Sequence, residues 1–178
     1  MQRVRDGELD SLSVLFERHH RALFAYFLRM TANRSLSEDL VQEVFLRILK
    51  YRQTYSTGCP FTTWMYQIAR NAQVDQFRKS RPEAPLDEEE PSRLPVSPEP
   101  TADQRASRSQ EVDLLRRALD RLPAEKKELL VLSRFQELKH EQIAAILACE
   151  VNTVKVRVYR AMKDLAGAFQ QVMQEKRV

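Results

Sequence analysis

Six of the eight prolines fall between Pro82 and Pro100, and no compact helical fold runs through such a segment. Proline has no amide donor, and its ring clashes inside a helix. The same stretch holds Glu83, Asp87, Glu88, Glu89, Glu90 and Glu99 against the single base Arg93, a net of −5. Like charges repel and extend a backbone. Residues 82–107 therefore read as a flexible acidic, proline-rich tether between a unit at 1–81 and a unit at 108–178. Units of this size are marginally stable alone, so each is expected to lean on partners. The net charge of +4 hides a contrast, because outside 82–100 the chain carries 28 bases against 19 acids, or +9. Basic folded parts with an acidic connector point to a polyanionic partner.

Only three glycines occur in 178 residues. Strand hairpins need turn glycines, so the expected class is all-α, two small helical domains and a linker. No run of 18 apolar residues is present to cross a membrane. The first eight residues, Met1 to Glu8, contain no apolar signal core. The expected location is the cytoplasm. Cys59 and Cys149 read as free thiols in a reducing compartment. With His19, His20 and His140 they form no zinc spacing, so neither metal nor other cofactor is expected. Glu38, Glu43, His19 and His20 could in principle support acid–base chemistry. They lack a glycine-rich phosphate loop, a nucleophile elbow or a metal spacing beside them, and no enzyme is expected.

Apolar periodicity places the helices. Leu9, Leu12, Leu15, Phe16, Leu23, Tyr26, Phe27 and Met30 predict one long helix or a helix pair. Ser35, three before Glu38, has capping-box spacing for a second helix, with Leu40, Val41, Val44, Phe45, Ile48 and Leu49 on one face. Ser56 to Pro60 breaks the chain before a third helix, whose stripe is Phe61, Trp64, Met65, Ile68 and Ala72. That helix ends in Arg78, Lys79 and Arg81. In the second unit Val112, Leu115, Ala118, Leu119 and Leu122 share a face. Pro123 sits where a new helix tolerates proline, and Leu129, Leu130, Leu132 and Phe135 fill that helix's apolar side. A short helix from His140 to Leu147, a turn at Ala148-Cys149-Glu150 and a last helix from Val151 to about Phe169 complete the unit.

The run from Leu138 to Arg157 has helix-turn-helix logic. Ile143, Ala144 and Leu147 anchor its first helix, and small Ala144 permits a close crossing. Val154, Val158, Ala161 and Leu165 hold the second helix down. Asn152, Thr153, Lys155, Val156, Arg157, Tyr159 and Arg160 then face outward, with four bases and no acid between Val151 and Lys163. Amide and guanidinium groups at the start of such a helix can read base edges in a major groove. A solvated basic face on an ordinary surface helix has the same pattern.

The segment from Leu122 to Leu165 resembles region four of bacterial sigma factors. Three departures stand out. Ala148 replaces the usual turn glycine, Glu150 replaces a serine-like cap, and Lys139-His140 replaces a serine-tyrosine pair. Leu15–His19, Glu38–Arg47 and Trp64–Asn71 are similar to sigma region two. With region three absent, the pattern is that of the extracytoplasmic-function (ECF) group. The resemblance implies a factor that binds core RNA polymerase and directs promoter recognition, DNA melting and initiation, commonly under an anti-sigma protein. It implies core binding through Asp39, Gln42, Glu43 and Arg47. It implies single-stranded minus-ten contacts through Tyr55, Phe61, Arg70, Asn71, Gln73, Gln76, Arg78 and Lys79. Minus-thirty-five contacts would come from Asn152, Thr153, Lys155, Val156, Arg157, Tyr159 and Arg160. Trp64 suits a stacking wedge, but its spacing to Ile68 favours the core, and Asp75 is expected to pair with an arginine. The acidic tether reads equally as a phosphate mimic in a basic channel or as a soluble spacer.

The competing reading is a stand-alone helix-turn-helix regulator. It would dimerise and bind duplex DNA alone, whereas a sigma factor is expected to be monomeric when free.

Overall fold

The computed structural model describes residues 1–79 and 102–175, the side chains of 102–109 excepted, and every regular element among them is helical. The first unit comprises α1 (Gln2–Arg5), α2 (Ser11–Thr31), α3 (Arg34–Lys50), a 3₁₀ turn (Arg52–Thr54) and α4 (Phe61–Lys79). The second comprises α5 (Ala102–Asp120), α6 (Ala124–Leu130), a π-helical turn (Val131–Phe135), α7 (His140–Leu147) and α8 (Val151–Glu175). The connector expected at 82–107 lies outside the described residues as far as 101. Its last residues belong to α5, whose start at Ala102 falls ahead of the expected boundary.

The apolar run from Leu12 to Met30 forms one helix, α2, and not a pair. It stops at Ala32, which takes a left-handed conformation (φ 57°) and donates its amide to the Leu28 carbonyl. The capping box expected at Ser35 and Glu38 is not formed. Asn33 is the cap, its side chain accepting from the Leu36 amide at 2.8 Å, and Ser35 lies inside α3. Asn33 holds the extended backbone (φ −114°, ψ 122°) that lets a short side chain fold back onto the first turn, whereas Glu38 pairs with Arg34 at 3.0 Å.

Within the first unit Leu23, Phe27, Val44, Ile48, Met65 and Ala69 are buried where α2, α3 and α4 meet. In the second, Leu130, Leu132, Ile143, Val154 and Ala161 are fully buried against α8 and its neighbours. Full burial of each such leucine, isoleucine or valine side chain is worth about 1.5–3 kcal/mol. The expected α5 face holds at Ala118, Leu119 and Leu122, which are buried, and at Leu115, which packs on the core, but not at Val112. Val112 is exposed, while Leu114 packs with Ala118 against Val172. The cause is α8, which continues to Glu175 and so carries Val172 across α5.

The two units are not apart. Their cores merge into one apolar cluster. The α7 helix lies on α4, and the π-helical turn lies on α2.

Candidate nucleic-acid interface

Helix α8 is amphipathic with a sharp division. Val154, Val158 and Ala161 are buried, whereas Asn152, Lys155, Val156, Arg157, Tyr159 and Arg160 are exposed and Thr153 is half-buried. Tyr159 is 74% exposed, so an aromatic ring stands in solvent between two arginines' positions. The turn into this helix is built as the sequence implied. Ala148 takes a left-handed conformation (φ 51°, ψ 49°) and ends α7, and the Cys149 amide donates to the Ala144 carbonyl at 3.0 Å. At the other end of α7 the Lys139 amide donates to Gln142 Oε1 at 3.0 Å. The only acid in the middle of α8, Asp164, is taken up by Lys126 at 2.6 Å, which leaves the basic face unneutralised from within.

On α3, Asp39 and Gln42 are exposed and Glu43 is half-buried. Arg47 turns inward. Its Nε donates to Glu43 Oε1 at 2.6 Å and its Nη1 to Asp75 Oδ2 at 2.8 Å, tying α3 to α4. Burial opposes the charge on Arg47, but these two hydrogen bonds outweigh it and raise its pKa. The expected partner of Asp75 is therefore Arg47. A shallow cavity of about 210 Å³ opens here, lined by Asp39, Glu43, Arg47, Asp75, Gln76 and Lys79 among others.

At the start of α4 the structure gathers an aromatic cluster. Tyr55 meets Trp64 edge-on at 5.3 Å and Phe61 at 6.3 Å, and His19 lies 5.2 Å from Phe61. Tyr55 is pinned by its hydroxyl, which donates to the Cys59 carbonyl at 3.0 Å. Burial, helped by Arg18, holds the His19 pKa below its ordinary 6.5. Trp64 is half-buried, with one side on the core and the other on Tyr55. Further along α4, Asn71, Arg78 and Lys79 are exposed and Gln76 is half-buried. Gln73 is buried at 7% exposure, with no hydrogen-bond partner for its Oε1. It does not share the face of the others.

Arg70 reaches across to the second unit, where its Nε lies 3.2 Å from Oε1 and 3.3 Å from Oε2 of Glu128. The buried Tyr26 hydroxyl donates to the same Oε1 at 3.3 Å. Burial, and then Glu128, push Tyr26 well above its ordinary pKa of 10. Tyr66, raised by burial, donates to Gln136 Oε1 at 2.6 Å. Gln67 Nε2 donates to the Ala145 carbonyl at 2.9 Å, and Gln142 Nε2 to Thr62 Oγ1 at 3.3 Å. This polar seam was not visible in the sequence.

Two family models match the chain: Sigma-70 region 2 over residues 15–83, and Sigma-70, region 4 over residues 113–165. The RNA polymerase sigma factor CarQ of Myxococcus xanthus is 31% identical over 165 residues, covering 93% of this chain and 92% of its own. The ECF RNA polymerase sigma factor EcfG of Rhodopseudomonas palustris is 33% identical, with 82% and 78% covered. This chain belongs to the ECF sigma factors of the sigma-70 family. The fold agrees. The sigma factor RpoE of Bartonella quintana, solved with the anti-sigma factor NepR, superposes with a TM-score of 0.71 at 22% identity over 90% of this chain and 97% of that one. CnrH, solved with the cytosolic domain of CnrY, gives 0.70 at 20% identity over 96% and 94%.

The region 2 match takes in α2, α3 and α4, and with them every residue of the expected core-binding and minus-ten sets. The region 4 match takes in the helix-turn-helix and the exposed face of α8. The sigma factor has no described helix long and apolar enough to cross a membrane.

Proposed function

We propose that this ECF sigma factor works in the cytoplasm as a binding protein with no catalytic step of its own. It docks on core RNA polymerase and places two basic surfaces on promoter DNA. The single observation that carries the reading is α8. Its buried stripe of Val154, Val158 and Ala161 fixes the helix in place while Asn152, Lys155, Val156, Arg157, Tyr159 and Arg160 face solvent. A helix is about 10–12 Å across and the major groove about 12 Å wide, so this face enters a duplex without deforming it. Asn152 and Arg157 supply hydrogen-bonding groups for base edges, Val156 an apolar contact for a thymine methyl, and Lys155 and Arg160 phosphate contacts.

The minus-ten strand is assigned to α4 and the loop before it. Tyr55 and Phe61 offer ring faces for an unstacked base, and Arg70, Asn71, Gln76, Arg78 and Lys79 line the path of the backbone. Gln73 supports the bundle in this conformation and would reach a base only if α4 moved. Core polymerase is assigned to the exposed edge of α3 through Asp39, Gln42 and Glu43. Arg47 braces that edge against α4 and contributes by holding Glu43 in place. Because the sigma factor RpoE of Bartonella quintana was solved with the anti-sigma factor NepR, such a partner is proposed here as well. Holoenzyme reconstituted with core polymerase should start transcripts at a defined set of sites on genomic fragments. No start sites above those of core polymerase alone would end the reading.

A further inference from the structure

Glu128 belongs to the second unit, yet its carboxylate sits on the strand-binding helix of the first. We propose that Glu128 occupies the place of a DNA phosphate on Arg70 and latches the free chain shut. The proposal rests on the assignment of Arg70 to the strand-binding face.

The chemistry fits. Guanidinium binds carboxylate and phosphate through the same donors, so one can stand in for the other. Arg70 Nε lies within 3.3 Å of both Glu128 oxygens, and the Tyr26 hydroxyl donates to one of them. The Glu128 side chain is only 12% exposed, against 40% for Arg70. A carboxylate so enclosed needs its cation, and in the closed chain that cation comes from α4.

Around this pair the seam is polar. Tyr66 bonds Gln136, Gln67 bonds the Ala145 carbonyl, and Gln142 bonds Thr62. The Arg29 guanidinium lies 4.5 Å above the Phe135 ring. The hydrogen-bonding groups of the seam can turn to water when the units separate, while the shared apolar cluster and the Phe135 ring set the cost of opening. It also covers α4 with α7, the first helix of the helix-turn-helix. A strand phosphate reaching Arg70 must displace Glu128, which removes the tie between α4 and α6 and weakens the seam by that pair. Strand binding and opening are therefore one coupled equilibrium, and the apparent affinity of the free chain falls by the fraction that stays closed.

The test uses the full chain as wild type, E128Q, Q136L, R70A and R70A/E128Q. Helix content is checked by circular dichroism. Compactness is read as the radius of gyration by small-angle scattering, and strand binding as the anisotropy of a labelled single-stranded DNA of mixed sequence. E128Q keeps the shape of the side chain and removes its charge. It should enlarge the radius of gyration and tighten strand binding roughly five- to tenfold, the size of one partly exposed charge-assisted pair. Q136L, which removes the acceptor of the Tyr66 hydroxyl elsewhere in the seam, should also expand the chain. Unchanged compactness in both variants overturns the latch, and so does tighter binding by E128Q without expansion. If R70A/E128Q binds the strand as tightly as E128Q, Arg70 does not touch the strand. That outcome removes the phosphate-mimic role and the Arg70 assignment beneath it, whatever the scattering shows.

Discussion

Ala148→Gly should make this protein more stable, contrary to the usual effect of adding glycine. Ala148 ends α7 at φ 51°, ψ 49°, where an L side chain crowds the following carbonyl. That conformation costs roughly 1–2 kcal/mol for a residue with a Cβ. Glycine removes the cost but enlarges the freedom of the unfolded chain, returning roughly 0.5–1 kcal/mol. The methyl itself contributes little burial, because Ala148 is exposed. The net expectation is a gain of about 0.5–1 kcal/mol, or roughly 1–4 °C in Tm for a chain of this length. Urea titration followed by far-ultraviolet circular dichroism measures it. The control is Ala145→Gly, an exposed position inside the same helix, which should cost about 1 kcal/mol. A loss of stability in Ala148→Gly comparable to that of the control would refute the argument, since it would mean the turn does not hold Ala148 left-handed.

Replacing Lys155 and Arg160 together with alanine should weaken duplex binding by the holoenzyme and flatten the log–log salt dependence by about 2, at roughly 0.9 for each phosphate no longer neutralised; an unchanged slope removes both from the interface. Asp39→Lys reverses the charge of an exposed side chain on α3 and should abolish co-elution with core polymerase while leaving the circular dichroism spectrum intact, so retained co-elution would move the docking face elsewhere. His19 has a folded pKa held below 6.5 by burial and Arg18, so an unfolded chain takes up its proton first. Its contribution to stability is complete above the unfolded value and is lost as pH falls through 6.5 toward the folded value. The urea midpoint should therefore drop between about pH 7.5 and pH 5.5 by more in the wild type than in His19→Gln, and equal drops would refute that placement of His19.

How much of this was legible follows the range of the interactions involved. The helix-turn-helix was readable to the residue, because α7, its turn and the start of α8 are set by neighbours three and four apart. The same local rule misplaced the cap of α3. Two short polar residues, Asn33 and Ser35, stand two apart, and only the extended backbone at Asn33 decides between them. On α5 only Val112 was misplaced, because Leu114 packs with Val172 on the part of α8 that continues past the expected end near Phe169. Glu128 had no signal at all. It reads as a surface acid on a short amphipathic helix, and its bonds to Tyr26 and Arg70 span 102 and 58 residues. Gln73 fails for the opposite reason. A glutamine among basic and aromatic residues looks like a DNA-reading group, yet the packing of α4 turns it into the bundle.

Chain reach decides whether a closed molecule can also be the working one. Elements named minus-ten and minus-thirty-five lie about 25 base pairs apart, roughly 85 Å along a duplex at about 3.4 Å per pair. In the structure, Gln67 on α4 is 2.9 Å from the carbonyl of Ala145 on α7. No single arrangement satisfies both, so the seam has to part before the two surfaces can hold one promoter. The 22 residues from 80 to 101 span at most roughly 75–80 Å when fully extended. Full extension of the connector is therefore close to the separation of the elements, and the open chain bridges them with little slack. Shortening the connector by about ten residues removes roughly 35 Å of reach. Such a chain should still close and still bind core polymerase, but should lose initiation at promoters that require both elements. Undiminished initiation would mean that one surface alone carries recognition.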